Sequence, residues 1–175
     1  MIFKTITTPL ALGLLLLTPA TADVLTARAL TSDQQAGLDV QNNGRRAKKV
    51  QPLAWDATLS AHAQAWADHL AQMDSLTHSS GDQRPGEGEN LAFFGGAGAD
   101  SAPLSGAAHL WMAEARNYHG QPIPLGNFAS YGHYTQCVWS ATTKVGMAWT
   151  KNANGNVYVV GRYSVPGNMA GQTPY

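Results

Sequence analysis

Gly132-His133-Tyr134-Thr135-Gln136-Cys137-Val138-Trp139 opens the C-terminal third of a 175-residue chain. Its apolar and aromatic content predicts a strand from His133 to Ser140, buried enough to be central. Two more strands follow, Lys144 to Lys151 and Val157 to Tyr163. Between them Asn152-Ala153-Asn154-Gly155-Asn156 has the Asn and Gly content of a hairpin loop. The tail from Pro166 to Tyr175 reads as irregular.

Upstream of this β region the pattern is helical. A first helix is expected from near Ser32, capped by Ser32 or Asp33 and running towards Lys49, with Leu38 and Val40 facing inward. Arg45, Arg46, Lys48 and Lys49 read as its solvated end, where cations suit the helix dipole. After Pro52, Asp56 caps a second helix reaching about Asp74, on which Leu59, Ala63, Trp66, Leu70 and Met73 form a core stripe. Residues 78–88 form a loop, Glu89 to Phe94 a short strand, Pro103 to Tyr118 a third helix and residues 119–131 another loop. Helices flanking a small, mostly antiparallel sheet make an α+β fold of packed layers, in a single domain.

The N-terminus has another purpose. Lys4 is the only charge before Asp23, an apolar run spans Leu10 to Leu17, and small residues stand at Ala20 and Ala22. This is the layout of a secretory signal peptide over residues 1–22, too short in its apolar part to span a bilayer. Residues 23–32 are a lead-in and 33–175 the domain. With 11 basic and 11 acidic residues the chain is neutral, and loss of Lys4 leaves −1. Such a balance excludes an electrostatic nucleic-acid binder. The single cysteine allows no internal disulfide, so stability must come from packing.

Four residues stand out for chemistry. On the third helix Ala107, Leu110, Trp111, Glu114 and Tyr118 share a stripe, which puts a carboxylate where an apolar residue belongs. Buried there, Glu114 must be protonated, paired or facing a polar cavity. Glu89 opens a strand after a polar loop and reads equally well as an exposed edge carboxylate. His133 enters the predicted central strand, where a satisfied core histidine is the simpler reading, and His78 precedes the loop leading to Glu89. Cys137 shares strand parity with His133, but four residues along a strand span roughly 13 Å, too far for a Cys–His dyad. Cys137 therefore reads as a small buried apolar residue.

Taken together, the segments resemble the CAP superfamily of cysteine-rich secretory, antigen 5 and pathogenesis-related class 1 proteins. The resemblance rests on Gln41-Asn42-x-x-Arg45, Pro52-Leu53-Ala54-Trp55-Asp56, His78-Ser79-Ser80-Gly81, Gly88-Glu89-Asn90-Leu91-Ala92, Trp111-x-x-Glu114, the 132–139 segment and Tyr158 to Asn168. It implies a three-layer α-β-α sandwich with one central cavity where His78, Glu89, Glu114 and His133 meet. Gln41 departs from the family's first-helix His. Met147 and Gly161 stand where many members carry cysteines, and face each other if the hairpin is symmetric about Asn154.

Two imidazoles and two carboxylates make a plausible site for Zn²⁺, with Mg²⁺ or Ca²⁺ as alternatives. Ligation needs neutral His, so affinity should fall below about pH 6 to 7. The resemblance favours a secreted binding module for a sterol, fatty acid or other small apolar ligand; Tyr118, Ile123, Leu125 and Phe128 of the 118–131 loop either form part of an apolar wall or, the simpler reading, plug the core. The same four groups also suit a metal-dependent hydrolase with Glu89 or Glu114 as general base, or a structural cavity in a protein that binds a surface partner. A binding module is the preferred reading over an enzyme.

Overall fold

The computed structural model describes residues 29–175. The expected signal segment, and most of the lead-in, lie outside the described residues. Four strands form one sheet in the order β1-β3-β4-β2. They are β1 (Ala54–Trp55), β2 (Gly88–Phe94), β3 (Lys144–Lys151) and β4 (Val157–Ser164). The pairs β3–β4 and β4–β2 are antiparallel, and β1, which has no counterpart in the sequence reading, joins β3 in parallel. Met147 does pair with Gly161, so the hairpin is symmetric as expected.

Strand alternation splits the sheet into two apolar faces. Val145, Met147, Val157, Val159 and Tyr163 pack with Leu38, Leu104, Ala107 and Trp111, which come from α1 (Ser32–Ala47) and α3 (Pro103–Ala113). Ala148, Tyr158, Val160 and Leu91 pack with Ala63, Trp66, Ala67 and Leu70 of α2 (Ala57–Met73). The result is the three-layer α-β-α sandwich. At Gly146 a Cβ would sit 2.1 Å from the Ser60 nitrogen and 2.7 Å from the Asp56 oxygen, so the start of α2 lies directly on the β3 backbone.

The expected strand from His133 to Ser140 is instead a short helix, α4 (Gly132–Cys137). Six residues are too few to hold a helix alone, since nucleation is unfavourable and both ends leave backbone groups unpaired. Distant side chains supply those partners. Glu114 accepts the N–H groups of His133 and Tyr134, at 3.0 and 3.2 Å. At the other end Arg45 donates to the carbonyls of Cys137, Trp139 and Thr142, at 2.9, 2.9 and 2.7 Å. Arg45 is thus fully buried rather than part of a solvated basic end. A window of β-favouring residues carries no trace of two partners so remote in sequence.

Other corrections are local. Thr31, not Ser32 or Asp33, caps α1 in a capping box with Gln34. Asp33 caps α3 instead, accepting the N–H groups of Leu104 and Ser105 at 2.9 Å each. Val40 is only half-buried, and Met73 and Leu110 point outward, each more than half exposed. The third helix changes to a 3₁₀ turn at Glu114–Asn117, earlier than expected. Tyr118 and Ile123 are buried with Tyr131, Tyr134, Val138 and Trp139, so this part of the 118–131 loop plugs the core rather than walling a groove.

Candidate functional site: two histidine–carboxylate pairs

Glu89 lies on β2 directly across from Arg162 on β4, on the α2 side of the sheet. Its carboxylate is fully enclosed. Oε1 accepts from His78 Nδ1 at 2.7 Å and from the Ser79 N–H at 3.0 Å. Oε2 accepts from Ser79 Oγ at 2.7 Å and pairs with an Arg162 nitrogen at 3.1 Å. Burial alone would push the Glu89 carboxyl up. The hydrogen bonds from His78 and Ser79, with the Arg162 charge, overcome that and hold it below its usual range. Glu89 is therefore an anchored anion, not an exposed edge carboxylate.

The second pair has the same design. Glu114, at the end of α3, receives His133 Nδ1 on Oε1 at 2.7 Å while its Oε2 takes the two N–H groups at the start of α4. Glu114 is paired, one of the three states open to a carboxylate at that position. Each imidazole commits its Nδ1 to a carboxylate, and in the neutral ring that arrangement places the proton on Nδ1 and leaves Nε2 free. His78, Glu89 and His133 line one cleft of about 600 Å³, together with Asn90, Gln136 and Asn168. Phe128, Ala129 and Pro166 add an apolar part to its wall. Glu114 stands behind His133 rather than on that wall.

Neither carboxylate is placed as a free general base, because their oxygens are already occupied by protein donors. Among the described residues no group of three or more His, Cys, Asp or Glu side chains is arranged to hold a metal ion. Two imidazole nitrogens are what the cleft offers as strong donors.

Cys137 and His133, on a helix rather than a strand, stand four residues apart on one face, so strand spacing no longer separates them. Their chemistry does. His133 Nδ1 is taken by Glu114, and the Cys137 thiol is enclosed beside Asn90 and Tyr163. Burial pushes that thiol up to about 12, far from a thiolate nucleophile. Gln41, in the place of the family's histidine, accepts the Tyr163 hydroxyl at 2.9 Å and reaches Met147 Sδ at 3.3 Å. The position remains a buried polar link between α1 and the sheet.

Arg162 and Ser79 were missed. Arg162 had a signal: a cation within the apolar strand Tyr158-Val159-Val160-Gly161-Arg162-Tyr163 needs a buried partner, and β2 brings Glu89 opposite it. Arg162 also pairs with Glu87, at 3.1 Å, and Glu87 in turn holds His62 Nδ1 at 2.6 Å. His62 and His78 are thus joined to one guanidinium through Glu87 and Glu89. His109 and His119 are exposed, apart from these pairs.

The α-β-α sandwich is the fold of the CAP proteins. The chain belongs to the cysteine-rich secretory protein family, CAP, whose model matches residues 38–163. It is 38% identical over 144 residues to pathogenesis-related protein 1B of Nicotiana tabacum, covering 82% of each chain. It is 36% identical over 146 residues to the secreted protein RBT4 of Candida albicans, covering 82% of this chain and 38% of that protein. Among solved structures it resembles NaASP2 with Zn²⁺, with a TM-score of 0.69 and 27% identity over 83% of this chain and 86% of the other. No helix among the described residues is long and apolar enough to cross a membrane.

Proposed function

We propose that this chain is a secreted binding module whose cleft takes a divalent cation, Zn²⁺ first, through Nε2 of His78 and Nε2 of His133. The observation that carries this reading is that both imidazoles line one cleft with Nδ1 already held by a carboxylate. A carboxylate behind the ring is the usual support of a metal-ligating histidine, and raises the basicity of the free nitrogen. In this reading Glu89 and Glu114 orient the ligands and do not bind the ion. Mg²⁺ and Ca²⁺ fit less well, since they prefer oxygen donors. The solved relative with Zn²⁺ and the signal-like N-terminus add support.

A bound ion would anchor an oxygen-bearing head group. The patch of Phe128, Ala129 and Pro166 suits the apolar part of the same ligand. A fatty acid has both features. A sterol has a larger apolar body and gains nothing from Tyr118 and Ile123, which are packed away.

Calorimetry on the EDTA-treated protein is the test. One Zn²⁺ per chain is expected, with no binding in a folded His78→Ala/His133→Ala variant. Absence of Zn²⁺ binding, or equal binding by the double variant, would defeat the proposal. The fatty-acid part requires saturable binding of a labelled chain that strengthens when Zn²⁺ is present. A secreted product beginning at Asp23 is the expected result of N-terminal sequencing.

A further inference from the structure

A second cleft, of about 510 Å³, lies between α2 and the Gln83–Glu87 segment. Its helical wall is His62, Ala65, Trp66 and His69, with the Trp66 indole and His69 imidazole stacked at 4.6 Å between centroids and 29° between planes. Arg84, Glu87 and Arg162 also line it.

The polar groups here are unevenly spent. Arg84 gives Nε to the Ser79 carbonyl at 3.1 Å and Nη1 to the Glu87 carbonyl at 3.0 Å, which leaves Nη2 uncommitted. Arg162 is only 2% exposed; both terminal nitrogens are paired, yet its buried Nε–H has no partner. Glu87 is the one carboxylate on the wall. Its Oε1 is held by His62 and its Oε2 by Arg162, so it presents no free anionic oxygen to a ligand. Arg84 Nη2 and the Arg162 Nε–H are the cleft's unspent donors, its remaining acceptors are ring nitrogens of His62 and His69, and one side is flat and apolar. Donors of this kind call for an anion, since a buried N–H without an acceptor costs free energy.

We propose that this second cleft binds a small organic anion with a flat apolar body, of which an aromatic carboxylate is the simplest case. The carboxylate lies towards Arg84 and Arg162, and the ring lies along the His69–Trp66 stack. This proposal does not depend on the cation reading, although Arg84 lines both clefts and Arg162 also holds Glu89.

Benzoate is the probe, added to the metal-free full chain and followed by two-dimensional NMR of the indole and guanidinium N–H signals. Saturable shifts are expected at Trp66 Nε1–H and Arg162 Nε–H. Benzyl alcohol, which keeps the ring and lacks the charge, should bind at least about tenfold more weakly, the loss expected for charge-assisted hydrogen bonds. Arg84→Gln should weaken benzoate by about tenfold for the same reason. His69→Ala, at an exposed position, should weaken it through the lost stacking surface and serves if Arg84→Gln does not fold. Equal binding of the alcohol, shifts centred on His78 and His133, or no saturation overturns the proposal.

Discussion

Glu114 holds His133 twice, taking its backbone N–H at 3.0 Å on one oxygen and its ring Nδ1 at 2.7 Å on the other. One carboxylate thus starts α4 and aims the side chain that α4 carries. Glu114→Gln should preserve much of the volume but place an N–H₂ group where an acceptor is needed. Zn²⁺ affinity measured by calorimetry is expected to fall by about 10- to 100-fold, the usual cost of losing a carboxylate behind a ligating histidine.

At the opposite end of α4, Arg45 donates to carbonyls from Cys137, Trp139 and Thr142, and also to Gln51 at 2.7 Å. Arg45→Met fills similar space and leaves those carbonyls without their donor. A loss of at least about 3 kcal/mol is expected in urea unfolding, from several buried acceptors at about 1–3 kcal/mol each. An unchanged midpoint would show that the carbonyls find other partners.

Gly146 admits no side chain because backbone atoms of α2, not flexible side chains, occupy the space. Gly146→Ala is expected to destabilise the fold by about 2 kcal/mol or more, as overpacking against an immovable neighbour does. Thermal unfolding is the measurement. Ala at Gly81, where a Cβ meets nothing within 4 Å, provides the contrast.

Acid stability follows from two carboxylates. The Glu89 carboxyl is held below its ordinary value in the folded protein, so its contribution is present above the unfolded carboxyl's pKa and is lost as pH falls through the folded one. Asp74 follows the same sign. It caps α2 and accepts hydrogen bonds from Tyr158, Asn156, Asn154 and Asn152, which lower it to about 2. Unfolding midpoints measured from neutral to strongly acidic pH should decline on the acid side. Glu89→Gln is expected to flatten part of that decline while lowering stability at neutral pH.

By itself the sequence determined the layers, and the four residues of the two pairs were named through the family resemblance. The helical stripe on α2, the alternation in β3 and β4 and the Asn/Gly loop are local signals, because burial on one face imposes a period that short windows display. Glu114 on an apolar stripe announced a need for a partner, since an unpaired buried carboxylate is too costly to leave. The motifs then named His133 as a member of the same cavity. What only tertiary structure decided is where distant backbone and charge meet. Whether residues 132–137 coil or extend depends on Glu114 and Arg45, 18 and more residues away, which satisfy ends that a six-residue helix cannot satisfy alone. The basic end of α1 divided for the same reason: Arg46 stayed exposed, while Arg45 was drawn inside by carbonyls that no local pattern reveals.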